Sequence, residues 1–261
     1  MSFSLIELLA VLGAMGGFVA GLLGVGGGVV MFPLLYYVPS FFGWDALDAK
    51  TVAAIVSSQV FFSAVAGGWA HRRSGQVKSA IAIVAGGASA LGSLIGAVAS
   101  KWVSGQFMLV LFGLVTTGAG LAMCLPIAEG VETRGSESAP AIANLPLGIC
   151  SFVVGLVIGF LGAGNFAFVP LLIFQFKVPT RVAIGSTLMI GVMNSTTGFI
   201  GKLATGQIPL LVTSVVVVAA GLSALAGERT HRVVPTALLR KIYATLVGAI
   251  ALTVWITIAR G

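Results

Sequence analysis

Long apolar runs separated by short polar stretches make up almost the whole chain. A helix needs about 20 apolar residues to cross the hydrocarbon core of a bilayer. Six runs of about this length predict membrane-spanning helices near residues 50–70, 78–100, 106–126, 182–202, 208–226 and 238–258. Two further runs, 5–38 and 145–176, are too long for one crossing, and each has glycines near its middle and a proline soon after.

The chain divides into two halves with the same order of elements. In each half a long interrupted run precedes three ordinary helices, and the polar stretch EGVETRGSESAPAIAN joins the halves. We therefore predict an all-α protein with a first membrane repeat at 1–128, a polar linker loop at 129–144 and a second membrane repeat at 145–261.

Two motifs occur once in each half. GLLGVGGGVVMFP at 21–33 is echoed by GFLGAGNFAFVP at 159–170, and SGQV at 74–77 is echoed by TGQIP at 205–209. The glycines that align are Gly21 with Gly159, Gly24 with Gly162, and Gly26 with Gly164. An internal repeat in a polytopic membrane protein is typical of secondary transporters.

The distribution of Lys and Arg decides between parallel and inverted halves. If each long run dips into the membrane and returns, the second half is inverted, and most basic residues fall on the cytoplasmic side. Only Lys50, Lys101, Lys202 and Arg260 are then outside. The parallel arrangement places more basic residues outside than inside. We therefore predict inverted halves, periplasmic termini, and cytoplasmic loops near 71–78 and 227–237.

The composition identifies the bilayer as the main solvent. The chain is 58% hydrophobic and 8% charged, whereas soluble domains carry about 25% charged residues. The net charge of +7 lies in short loops without interleaved aromatic residues, so no nucleic-acid partner is expected. The start of the chain lacks the basic region of a signal peptide, so we treat the first apolar segment as retained. Cys124 and Cys150 are interpreted as packing residues, without metal or redox chemistry.

The glycine breaks suggest an anion site. Non-helical backbone at membrane depth is tolerated only where protein or water covers it, so the two breaks are expected to meet inside the protein. Free N–H groups at the start of each second arm would bind a small anion. The candidate residues are Gly26, Gly27, Gly28, Gly162, Gly164 and Asn165. Close helix packing is the alternative, because Gly13, Gly17 and Gly21, like Gly24 and Gly28, are spaced by four.

The helix after each break carries the other polar candidates. The substrate-binding set there is Ser57, Ser58, Gln59, Ser186, Thr187 and Asn194. Polar side chains in membrane helices often line a pathway, although hydroxyls also bond to their own helix backbone. His71, Arg72 and Arg73 either orient the chain or gate an anion, and Glu7 is expected to be solvated. No acidic residue lies clearly at mid-membrane, so a carboxylate proton relay is not visible. The sequence does not decide between H⁺ and Na⁺ as a coupling ion, and it does not give the oligomeric state.

Several segments resemble the TauE/SafE family of sulfite and organosulfonate exporters. They are GLLGVGGGVVMFPLL, GGWAHRRSGQV, GFLGAGNFAFVPLL and AIGSTLMIGVMNSTTG. The resemblance implies a bacterial cytoplasmic-membrane exporter of a small sulfur oxyanion or related organic anion. Asn165 and Phe166 stand where the family often has glycine, which implies an asymmetric site.

The sequence therefore favours a transporter that works by alternating access around a central anion site. An anion channel, or a transporter of another small organic anion, is the alternative. An intramembrane enzyme is disfavoured, because His71 and His231 lie in loops without clustered metal ligands. A membrane scaffold would not need paired breaks. No cofactor is expected.

Overall fold

Helices form the whole of the described fold. The computed structural model describes residues 4–23, 27–45, 47–71, 79–124, 144–163, 165–178, 180–231 and 236–260. Its regular helices are α1 (Leu5–Leu23), α2 (Gly28–Phe41), α3 (Ala49–His71), α4 (Ser79–Ala99), α5 (Gly105–Cys124), α6 (Asn144–Leu161), α8 (Thr180–Ala204), α9 (Leu210–His231) and α10 (Thr236–Arg260). No strand occurs in these residues. The prediction of an all-α membrane protein is confirmed.

Both long apolar runs are broken, as predicted. Gly27, between α1 and α2, has φ +66°, and Gly162, after α6, has φ +70°. These left-handed angles are accessible to glycine at little cost, so a glycine at each point lets the chain leave the first helix of the pair. The six ordinary helices lie within a few residues of their predicted bounds. α6 begins at Asn144, so the last residue of the predicted linker is helical.

The first arm of the first break is longer than expected. α1 has 19 residues, roughly 28 Å at 1.5 Å per residue, close to the thickness of the hydrocarbon core. α2 has 14 residues and is too short to cross. By length and composition, three described segments could cross a membrane: Leu5–Leu22, Ile81–Ala99 and Leu210–Gly227. The first hairpin therefore has one arm of nearly full length and one short arm.

The arm after the second break is not a regular α-helix. This segment, α7, consists of a 3₁₀ turn at Asn165–Ala167, an α-helical turn at Phe168–Pro170 and a π-helical stretch at Leu171–Gln175. Pro170 has no N–H to donate, and the looser π turn follows directly after it. The alignment of peptide dipoles expected of a regular helix is therefore weaker here than at the start of α2.

The two halves are joined by an exchange of partners. α1 of the first half packs along α9 of the second, and α6 of the second half packs along α4 of the first. Helices α3 and α8 also contact each other, as do α5 and α10. Since α1 aligns with α6, and α4 with α9, the contacts of one half repeat those of the other. The inverted orientation of the halves stays a prediction.

Small residues allow the two exchanged helix pairs to approach closely. A Cβ on Gly13, Gly17 or Gly21 would meet the backbone of α9 at Val216, Ala220 or Ala224. On α6, Gly155 and Gly159 face Ser89 and Ser93 of α4 in the same way. Such close contact stabilises helices in lipid, where the hydrophobic effect does not drive association. The packing alternative is confirmed for Gly13, Gly17 and Gly21.

The outer surface is apolar, as a lipid-facing surface requires. On α9 the residues that point away from the protein are large and aliphatic. Leu210, Leu211, Val218, Leu222 and Leu225 are all exposed. An apolar surface of this extent is typical of a protein whose solvent is the bilayer.

Gly17→Ala should destabilise the fold because the added methyl group would overlap the backbone of Ala220. Overpacking of this kind costs about 1–3 kcal/mol, so we expect a lower unfolding temperature in detergent. Gly87→Ala is the control, because Gly87 lies in α4 with open space around its Cβ position. Equal unfolding temperatures for the two variants would contradict close packing of α1 on α9.

Candidate functional site

The two breaks meet inside the protein. A Cβ built on Gly28 would lie 2.7 Å from Ala163 Cβ and 3.2 Å from Val60 Cγ2. The start of α2 in the first half therefore lies directly against the break of the second half, with α3 beside both. The expectation that the breaks come together is confirmed.

The described break glycines are packed on their Cβ side. A Cβ on Gly27 would overlap Ala20 of α1, and one on Gly162 would meet the backbone of α3 at Ala53 and Ser57. The volume next to these glycines is therefore filled by neighbouring helices rather than open to a ligand. An anion would have to approach their amide groups from another direction. Gly26 and Gly164, also predicted for the site, lie outside the described residues, as does the side chain of Phe166.

α3 brings one carboxamide to the first break. Gln59 Nε2 lies 3.6 Å from the Cβ position of Gly27 and donates to Ser63 Oγ at 3.1 Å. Gln59 Oε1 has no hydrogen-bond partner among the described residues, although Gln59 is only 1% exposed. The start of α2 therefore has a buried polar side chain beside it with an unused atom.

α8 brings a second carboxamide. Asn194 is fully buried, and no described residue forms a hydrogen bond with its Oδ1 or Nδ2. Its backbone carbonyl accepts a hydrogen bond from Ser93 Oγ of α4 at 2.8 Å. A buried polar group without a partner costs about 1–3 kcal/mol, and polar groups inside a membrane protein are usually functional. This cost marks Asn194 as a ligand-binding candidate.

The third carboxamide follows the second break. Asn165 Nδ2 lies 3.1 Å from the Cβ position of Gly191 on α8, and Asn165 Oδ1 has no hydrogen-bond partner within the described part of the chain. Gly191 is one helical turn before Asn194, so both amides approach the same part of α8. Gln59 therefore lies at the first break and Asn165 at the second, with Asn194 one turn further along α8, and all three have polar atoms that the described residues do not satisfy.

The hydroxyl groups have different roles. Ser58 donates to Ala54 O at 2.9 Å, and Thr187 donates to Ala183 O at 2.8 Å. Both hydroxyls therefore bond to the backbone of their own helix, which is the alternative to lining a pathway. Either hydroxyl would have to release this bond before donating to an anion. Ser186 is fully buried, and its hydroxyl has no hydrogen-bond partner in the ranges that the structure describes. Ser57 Oγ lies beside Gly198 of α8, and its backbone N–H faces Gly162.

Lys202 was not predicted as a site residue. The sequence placed it among the basic residues of the periplasmic side, at the end of a predicted helix, but the structure buries it fully on α8. Its ammonium group donates to Ser100 Oγ at 2.9 Å and to Phe160 O at 3.3 Å. One signal in the sequence could have identified it. Successive members of the set Asn194, Gly198 and Lys202 are four residues apart, so all three lie on one face of α8.

Glu7 and Cys150 play no part in this site. Glu7 Oε2 accepts a hydrogen bond from Ser4 N at 2.8 Å on the exposed start of α1, as expected of a solvated carboxylate. Cys150 is a free thiol. The side chains of Cys124 and His71 lie outside the described residues, as do Arg72 and Arg73.

Known proteins resemble this chain over most of its length. A family model described as "Sulfite exporter TauE/SafE" matches residues 9–254. A probable membrane transporter protein of Xylella fastidiosa strain 9a5c is 31% identical over 68% of the chain, which spans 66% of that relative. YunE, a probable membrane transporter protein of Bacillus subtilis, is 26% identical over 88% of the chain and 89% of its own length. No solved structure gives a significant match.

Gly28→Ala should impair the protein because its methyl group would lie against Ala163 Cβ. Removing the opposing methyl group with Ala163→Gly should relieve the overlap, so we expect the double variant to recover part of the lost thermal stability. The measurement is the unfolding temperature of the parent, both single variants and the double variant. Additive losses in the double variant would show that the two breaks do not touch.

Proposed function

The chain belongs to the TauE/SafE sulfite exporter family of membrane transporters, and we propose that it exports a small anion across the bacterial cytoplasmic membrane. The proposed substrate is sulfite or a related sulfur oxyanion or organosulfonate. The observation that carries the proposal is the junction of the two breaks, where Gly28 packs against Ala163 among carboxamides with unused buried atoms.

The chemistry of this junction suits a small oxyanion. Amide N–H groups, from side chains or from the start of a helix, donate to anionic oxygens, and bonds to a charged acceptor are the stronger ones. α2 offers free N–H groups at its start, since Val30 and Met31 are the first to donate to Gly27 O. The second half contributes the side chain of Asn165, which supplies an amide donor where the irregular α7 has a weaker alignment of peptide dipoles. The site we propose is therefore asymmetric.

Burial of the candidate side chains favours alternating access. Gln59 is 1% exposed and Asn194 fully buried, so an anion reaches them only after the helices around them move. We propose that the halves rock about the junction and open it to one side at a time. An anion channel or a transporter of another organic anion stays the alternative. In a channel, the anion flux would not saturate as the anion concentration rises, and anion on the opposite side would not stimulate uptake.

Asn194→Leu and Gln59→Leu should each weaken anion binding. Each removes polar atoms that are buried at the junction and replaces them with a side chain of similar size that cannot donate. Loss of one hydrogen bond to a charged group corresponds to about 1.5–3 kcal/mol, or more than tenfold in affinity. Titration of the purified, folded variants with sulfite, sulfate and methanesulfonate provides the measurement.

Gln106→Leu is the matched control for these variants. Gln106 is exposed near the start of α5, so its replacement should leave anion affinity unchanged. If the parent binds these anions and both core variants bind them equally well, the junction is not the anion site. If the parent binds a carboxylate instead, the substrate class is wrong while the site stands.

The proposed topology places both termini in the periplasm, because inverted halves keep most Lys and Arg inside. A reporter that works only in the periplasm should therefore be active when fused at Met1 or at Gly261. A reporter that works only in the cytoplasm should be inactive at both positions. Cysteine substitutions in the loops near 71–78 and 227–237 should resist labelling from outside, in a background where Cys124 and Cys150 are replaced. Termini on opposite sides would contradict the inverted arrangement.

A further inference from the structure

One face of α8 carries polar and small residues from the junction to the end of the helix. Asn194, Gly198 and Lys202 are separated by four residues each, so they lie in a row that rises about 6 Å at each step. Asn194 is one turn after Gly191, which faces Asn165 of the second break, and Gly198 faces Ser57 and Ser93. Lys202 ends the row, and all three are buried.

Lys202 has no counter-ion among the described residues. Its two hydrogen-bond acceptors, Ser100 Oγ and Phe160 O, are neutral. The titratable side chains described on or beside the elements that pack against α8 are Asp48 before α3, Lys50 on α3, Lys101 after α4, Cys150 on α6 and Lys177 after α7. The one carboxylate among them, Asp48, is exposed beside Gly105, and the hydrogen-bond partners of Lys202 are both neutral. Lys202 is therefore a buried positive charge without a negative partner in this part of the chain.

Such a charge is expensive, so its retention needs a reason. A buried cation is normally paired, and a charged side chain inside a membrane is costly. Phe160 is in the last turn of α6, so part of the cost is offset by the negative end of that helix. A neutral donor such as glutamine would satisfy the same carbonyl without a charge. The helix cap alone therefore does not explain a lysine.

The position of Lys202 relates it to the second break. Phe160 O, which accepts from its ammonium group, is two residues before Gly162. Ser100 Oγ links the ammonium group to Gln207 Oε1 at 2.9 Å, and Gln207 belongs to the repeated motif TGQIP. In the first half, His71 stands at the same distance before the motif SGQV. Each half therefore has a basic residue type at the equivalent position.

We propose that Lys202 supplies the positive charge for anion binding at the junction and for anion movement along this face of α8. The inference rests on the proposed function, because it assumes that the junction holds an anion. Over a distance of several Å inside a protein, an ammonium group attracts an anion far more strongly than it does in water. The attraction grows with the charge of the anion, which gives the role a measurable signature.

The test compares variants that separate charge from hydrogen bonding. Lys202→Gln keeps a donor for Phe160 O but has no charge, Lys202→Met has neither, and Lys202→Arg keeps the charge. The probes are methanesulfonate and sulfate, which have a similar sulfur–oxygen group but one and two negative charges. Dissociation constants are measured for the purified full-length protein in nanodiscs. Lys101→Gln is the control, because Lys101 is exposed near the same end of the fold.

We expect Lys202→Gln to bind methanesulfonate about tenfold more weakly, and sulfate about a hundredfold more weakly, because the lost interaction scales with ligand charge. Lys202→Arg and Lys101→Gln should stay within a few fold of the parent. Lys202→Met should resemble Lys202→Gln, so either neutral variant suffices if the other does not fold.

Four results would overturn the proposal. Neutral variants with parental affinity would show that the charge does not act on the anion. Equal losses for both anions, or equal losses in Lys202→Gln and Lys202→Arg, would assign Lys202 a purely structural role as the cap of α6. These three outcomes leave the junction as an anion site. A parent that binds neither probe and no sulfite would overturn the proposed function, and this inference with it.

Discussion

The fold depends on the rule that backbone polar groups inside a membrane must be covered by protein. Two helices are interrupted at Gly27 and Gly162, and an interruption facing lipid would leave N–H and C=O groups without partners. The structure solves this by placing the breaks against each other and against α3. The contact of Gly28 with Ala163 is close enough to exclude lipid. The junction of the two breaks is therefore a result of covering the backbone, and the buried carboxamides beside it are an addition to that arrangement.

Close approach of helices around the breaks makes this cover possible. The glycine rows of α1 and α6 bring backbones together with α9 and α4, and these two helix pairs connect the halves. Further out, Phe61 of α3 stacks on Phe199 of α8 with ring centroids 4.7 Å apart. Small residues thus fix the positions of the helices, while the larger side chains fill the space that remains.

The sequence predicted the architecture well because its strongest signals are physical constraints of the bilayer. Run length predicted the six ordinary helices, and glycine with excess length predicted the breaks at Gly27 and Gly162. The same signals failed where local geometry decides. The irregular turns of α7 and the full length of α1 depend on packing that one sequence does not reveal. Periodicity also could not separate Gly17, which packs on α9, from Gly28, which lies at the junction.

The candidate site was predicted only in part, for a related reason. Gln59, Asn165 and Asn194 stood out because an amide in an apolar helix is costly, and each has at least one buried polar atom that no described residue satisfies. Ser58 and Thr187 stood out equally, yet their hydroxyls bond to their own helices. Lys202 was overlooked because a charge at the end of an apolar run is usually solvated. Lys202 is removed from water because α8 continues beyond it and because the ends of α4 and α6 pack over it.

The exchange of helices between halves has a consequence for synthesis in the cell. α1 leaves the ribosome first, but its main partner, α9, begins only at Leu210. At about 5–20 residues per second, roughly 10–40 s separate the two helices during translation. Throughout this interval the glycine row of α1 has lipid, or a chaperone of the insertion machinery, in place of α9. A truncated first half would keep that row exposed permanently, so the assembled transporter is formed only when nearly the whole chain has entered the membrane.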